Sequence, residues 1–149
     1  MMIERYAKKR SERLFRANDG EYVLLQDSAR GHFPVYMHAR GSSPDVVTLR
    51  AHWSARCAHT KRIHLRECVN RFNDRNPWLT VSVREAHDSS APTVVVNSSI
   101  LLADEVDFGV FVRFVDLSLA SAAKLFEQVY PGTQLPSPAE LRRCLQLPA

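Results

Sequence analysis

The sequence predicts an α+β domain: an antiparallel β-sheet with helices packed on one face, in the order α-βββ-α-ββ-α. Three observations predict it. First, the chain has 149 residues, a one-domain length, and 45% of them are apolar, enough for a sizeable core. Second, hydrophobic spacing alternates in groups between a period near 3.6 and a period of two. Third, the period switches most sharply between Leu65 and Val83, where an amphipathic helix turns through an Asn/Asp/Pro corner into a half-buried strand. Strands grouped between helices indicate hairpins and an antiparallel sheet.

The elements follow in order. Residues 1–17 read as a basic helix from about Met2 to Ala17, with a thin apolar stripe at Ile3, Tyr6, Arg10, Leu14 and Phe15. Asn18-Asp19-Gly20 is a turn. Tyr22–Gln26 and Phe33–His38 read as strands, and Pro34 suits an edge or a strand start because it cannot donate to a ladder. In Val46–Trp53, Val47, Leu49, Ala51 and Trp53 face one side and Thr48, Arg50 and His52 the other.

Thr60–Asp74 is a helix, with Leu65, Cys68, Val69 and Phe72 at i, i+3, i+4 and i+7. Asn73, Asp74 and Asn76 break it, and Pro77 keeps Asn76 out of helical angles. The strand Trp78–Arg84 turns Leu79, Val81 and Val83 inward, and another strand lies near Thr93–Asn97. Asp104 reads as an N-cap, and Asp107 complements the dipole of a helix running to about Val129. That helix has a wide apolar face and a second one at Val110, Phe114, Leu117 and Leu125. One side packs on the sheet; the other needs a cover, either the N-terminal helix or a second subunit. Residues 131–149 form a tail, with a short helix at Pro138–Leu145.

Charge and composition bound the function. The first sixteen residues hold six basic and two acidic side chains and account for the whole net charge of +4; the remainder is balanced. Only the N-terminal helix is therefore a candidate nucleic-acid surface, through Arg5, Lys8, Lys9, Arg10 and Arg13. No apolar run is long enough for a membrane span, no apolar signal segment follows the basic start, and the expectation is a cytoplasmic protein that does not engage membranes. Cys57, Cys68 and Cys144 are odd in number and irregularly spaced, so no disulfide framework is implied.

Catalytic chemistry finds little support. His52, Cys57, His59, His64 and Cys68 cluster in sequence but match no compact zinc pattern. His87-Asp88-Ser89 holds the letters of a triad, yet triads assemble by geometry and three loop neighbours mean little. The glycines are isolated, so no phosphate-cradling loop is present. No cofactor and no metal are expected. Trp53 and Trp78 are the two large aromatic anchors, read first as packing in the core or its rim and second as lining a partner groove.

The corner carries a family resemblance. Asn70-Arg71-Phe72-Asn73 followed by Pro77-Trp78 is similar to the "Asn-x-Trp-Asn … Trp-Pro" corner of the YbjN family. Phe72 stands where that family prefers Trp, and the Trp-Pro order is inverted. Asp19-Gly20-Glu21 resembles the acidic turn opening the family's first strand, and Trp53 the aromatic ending its third. The resemblance runs from about Leu14 to Val129. It implies a small bacterial domain of the sensory-transduction-regulator type, with a fold like that of type III secretion chaperones. It also implies binding of a protein or peptide client on an exposed sheet or groove, in a regulatory or chaperone-like role; the absence of a convincing catalytic constellation makes that role non-catalytic.

Three functions are then in view. The first is a regulatory or chaperone-like protein-interaction module, dimeric in one form, with Trp53, Trp78, Phe114 and Leu117 as the partner-binding residues. The second is a nucleic-acid-associated regulator using the basic helix. The third, a small hydrolase or metalloenzyme, rests on the His/Cys cluster alone.

Overall fold

The computed structural model describes residues 1–40, 46–54, 62–84, 92–102, 106–129 and 135–148. Its elements are α1 (Met2–Arg10), β1 (Leu14–Arg16), β2 (Tyr22–Ser28), β3 (Gly31–Arg40), β4 (Val46–Ser54), α2 (Arg62–Arg75), β5 (Thr80–Arg84), β6 (Thr93–Leu101), α3 (Phe108–Val129) and α4 (Pro138–Cys144). The strands form one six-stranded sheet in the order β1-β2-β3-β4-β6-β5, with every neighbouring pair antiparallel.

Alternation along the strands sorts the side chains onto two faces. Leu24, Phe33, Val35, Met37, Leu49, Ala51, Trp53, Val81, Val94 and Val96 point to the main core. There they meet Ile3, Tyr6 and Ala7 of α1, Leu65, Val69 and Phe72 of α2, and the long face of α3 from Phe111 to Val129. Thus α1, α2 and α3 lie on one face, as the periodicities require. The opposite face holds a smaller cluster of Phe15, Val23 and Leu25, sealed by Leu141 of α4. The covered-face arrangement therefore has an addition: the C-terminal helix packs on the other side of the sheet.

The N-terminal helix is shorter than its stripe suggests. It ends at Arg10; Ser11 takes φ 55°, and the amide of Glu12 donates to the carbonyl of Ala7 at 2.9 Å, a left-handed C-cap. Leu14–Arg16 then pairs with Tyr22–Leu24 as β1. Leu14 and Phe15, placed on one helical stripe by spacing, face opposite sides of the sheet instead.

Pro34 sits inside β3, opposite Leu25, but the pairing of β3 with β4 begins only at Val35. Its missing N–H therefore falls where β3 has a neighbour on one side only, a local edge. Asp104 lies outside the described residues. Asp107 behaves as a cap at the start of α3: its carboxylate accepts from the amide of Gly109 at 3.0 Å and its carbonyl from that of Val110 at 3.0 Å.

Gly31 fixes the route of the tail. It has φ +127°, and any side chain there would collide with the carbonyl of Leu135. Around it the amide of Leu135 donates to the carbonyl of Arg30 at 2.7 Å, and the amide of His32 to that of Pro136 at 2.9 Å. The β2–β3 hairpin tip thus holds residues 135–136 against itself as the chain passes from the main face to the other.

Candidate functional site

The second apolar face of α3 divides in two. Leu125 is fully buried, whereas Val110 and Leu117 are more than half exposed and Phe114 is half-buried beside Phe111. Val110, Phe114 and Leu117 recur at i, i+4 and i+7, so they form one outward stripe. The helix α1 leaves this stripe uncovered and packs on another side of α3. There Tyr6 meets Phe111 edge-on and donates through its hydroxyl to Asp116 at 2.8 Å, and Arg5 stacks over Phe108 at 4.1 Å. Burial, together with the Asp116 carboxylate, pushes the Tyr6 hydroxyl far above its ordinary pKa, so it stays a donor.

The same packing engages the basic residues singled out in the sequence. Arg10 is paired with Asp116. Arg5 lies over Phe108 and Arg13 over Phe15, at 4.1 and 4.6 Å, arrangements in which a guanidinium is held by the ring's π-face. Lys8 and Lys9 are exposed in the last turn of α1.

The two tryptophans separate. Trp53 is 4% exposed, 5.4 Å from the Phe126 ring. Trp78 is 46% exposed at the corner, and Leu79 takes the buried place beside it. Trp78 is therefore a surface residue, against its first reading as core or rim packing.

Trp53 also lines a groove of about 230 Å³ between the β2–β3 hairpin tip and the C-terminal end of α3. Its walls are apolar, from Phe33, Trp53, Ala123, Phe126 and Leu135. Arg30 and Glu127 also line it; they are paired at 3.0 Å and each is almost half exposed. Spacing could flag Trp53 and Phe126 but not their meeting with Leu135, which depends on the Gly31 crossing.

Among the described residues, the histidines and cysteines of the sequence cluster fall in separate places. Cys57 and His59 lie outside the described residues, as do His87, Asp88 and Ser89. His64 and Cys68 sit one helical turn apart at 3.6 Å on α2. His52 projects from the opposite face of the sheet, stacked on Tyr36 at 4.8 Å. Among the described residues no three potential ligands converge on a metal position.

On that opposite face Arg50 pairs with Glu21 through bonds of 2.6 and 2.5 Å, with Glu21 buried. Burial first, and then the positive charges of Arg50 and Arg84, push His52 down to about 4. Its ring is therefore neutral near pH 7. Burial also raises the Tyr36 hydroxyl.

At the corner, Asn73 bonds to the backbone of Val81, and the Asn76 side chain donates to the carbonyl of Phe72 at 2.9 Å, closing the end of α2. Phe72 itself is buried. Comparison with known families places the whole of this corner inside one match. A family model described as "YbjN: Putative bacterial sensory transduction regulator" matches residues 2–131. The chain belongs to the YbjN family.

Among solved structures, the chain is similar to one described as "YbjN, a putative transcription regulator from E. coli", at 14% sequence identity and a TM-score of 0.62. The match covers 97% of this chain and 91% of that one, and at that identity it speaks for the fold. No curated protein matches the chain. The YbjN match begins at residue 2 and so takes in α1, whose Ile3 and Tyr6 belong to the core. It ends before α4, which lies beyond the matched residues. Among the described residues no helix is long and apolar enough to cross a membrane.

Proposed function

We propose that this YbjN-family protein is a non-catalytic regulatory module that binds a partner protein or peptide in the cytoplasm. The observation that supports this most is the Val110–Phe114–Leu117 stripe. Two large apolar side chains, 51% and 58% exposed, flank a half-buried phenylalanine on a 22-residue helix. A contiguous apolar patch is the surface that protein partners use. The family's description as a sensory transduction regulator fits a regulatory role. A chaperone-like mode, with a fold of the type III secretion chaperone kind, fits the same stripe, and a second copy of the chain is one partner that would cover it.

Affinity capture on the intact protein, with nuclease and high-salt arms, tests the reading. A discrete polypeptide surviving both arms is expected. Recovery of nuclease- or salt-sensitive material alone would contradict it and favour the nucleic-acid reading, which exposed Lys8 and Lys9 support. That second reading is tested by reversing both lysine charges. Removing the first sixteen residues would be a poor test, because Ile3, Tyr6 and Ala7 are core residues.

A further inference from the structure

The Trp53 groove lies at the C-terminal end of α3, away from the Val110–Leu117 stripe, and has a chemistry of its own. Its walls are aromatic and aliphatic. At about 230 Å³ it is smaller than the ~300–1,000 Å³ typical of sites for drug-sized ligands, so its occupant is on the scale of one large side chain. One cation and one anion stand together among its lining residues, Arg30 and Glu127 at 3.0 Å. They join through one guanidinium nitrogen and one carboxylate oxygen, whereas a guanidinium carries five donors and a carboxylate two acceptor oxygens.

We infer that this groove is a receptor site for a free apolar α-amino acid, of aromatic or branched aliphatic side chain. The side chain enters between Phe33, Trp53, Phe126 and Leu135. The α-carboxylate pairs with Arg30 and the α-ammonium with Glu127. Charge complementarity selects this class. A simple fatty or aryl acid satisfies Arg30 but brings its charge against Glu127, and an amine does the reverse. Among charged ligands, a zwitterion whose two charges are a few bonds apart answers both. The existing ion pair is no obstacle, because a half-exposed pair is weak and its members are easily re-partnered. The site is independent of the partner-binding reading, and its test does not depend on finding a partner.

Calorimetric titration of the full chain with L-phenylalanine and L-leucine tests the inference. Glycine, N-acetyl-L-phenylalanine and N-acetyl-L-phenylalaninamide serve as comparison ligands. The free apolar amino acids bind, glycine does not, and the acetylated acid binds about fivefold or more weakly, the scale of one surface ion pair. Glu127→Gln weakens L-phenylalanine by a similar factor without weakening the acetylated acid, a coupling that isolates the ammonium contact. Ala123→Leu, which fills the groove, abolishes binding with the melting temperature retained. If the doubly blocked amide binds as well as the free amino acid, the inference is overturned and the groove takes peptide side chains. Absence of heat with every apolar amino acid overturns it equally, whether or not the Ala123→Leu variant folds.

Discussion

Asn73 holds Val81 by both of its backbone groups: its side-chain oxygen accepts from the Val81 N–H at 2.8 Å, and its amide nitrogen donates to the Val81 carbonyl at 3.0 Å. The strand β5 is the last in the sheet, and Val81 sits opposite Val96 of β6. The outward-facing groups of an edge strand invite pairing with another chain. Here a side chain from α2 occupies those of Val81, so the corner ties β5 to α2 and blunts its edge at that residue.

Replacing Asn73 with Ala removes both bonds and is expected to cost about 1–3 kcal/mol. Replacing it with Asp keeps the acceptor but aims a second oxygen at the Val81 carbonyl, so Asn73→Asp should be no better than Asn73→Ala. Urea unfolding of the two variants checks this. Wild-type stability in the Asn73→Asp variant would mean that the donor half of the contact has no weight.

Gly31 yields a sharper prediction. A side chain at φ +127° is strained, and it would also strike the Leu135 carbonyl. Gly31→Ala should cost at least about 2 kcal/mol, and hydrogen exchange at the amides of His32 and Leu135 should quicken more than exchange in β4 and β6. Uniform acceleration across the sheet would contradict a local role.

His52 makes stability depend on pH. Its Nε2 is buried with no hydrogen-bond partner among the described residues. The folded pKa is lowered to about 4, so the unfolded chain, at the ordinary 6.5, takes up the proton first. Stability should therefore fall as pH drops from about 6.5 towards 4 and level off below. The contribution is at most about 3 kcal/mol, and smaller to the extent that the ring retains solvent contact. His52→Phe, which keeps the stack on Tyr36 and removes the orphan nitrogen, should flatten this segment of the profile. An unchanged profile would place the acid sensitivity elsewhere.

The C-terminal helix tests the second core. Leu141→Ala should cost about 2 kcal/mol, near the lower end for a buried leucine because its cluster is small, and Leu141→Asp should release α4. Thermal melts and protection of the α4 amides distinguish the two.

Much of this architecture is legible in the sequence, for physical reasons that also mark where legibility ends. Periods of 3.6 and two report which face an element buries, and they place Leu65, Val69, Phe72, Leu49 and Val81 correctly. They cannot report a three-residue strand, so by spacing alone Leu14–Arg16 merges with the preceding helix. The corner asparagines are visible as a motif, but the recipient of the Asn73 bonds, eight residues on, is not.

Contacts between distant segments leave no period at all. The crossing of Leu135 over Gly31, the side of the sheet that α4 takes, and the groove that the crossing helps to shape belong to this class. Charge counting locates the basic helix, but the engagement of Arg5, Arg10 and Arg13 with Phe108, Asp116 and Phe15 depends on packing. Trp78, as large and apolar as Trp53, stands exposed because Leu79 fills the buried position beside it.

The most direct test of partner binding through α3 compares wild type with a Val110→Glu/Leu117→Glu variant. Both changes are at exposed positions, so equal melting temperatures are expected. The measurement is recovery of the bound polypeptide under nuclease and high salt, with light scattering to count copies of the chain itself. The variant is expected to lose the bound polypeptide, or the second copy, while remaining folded. Undiminished binding by a folded variant would contradict it.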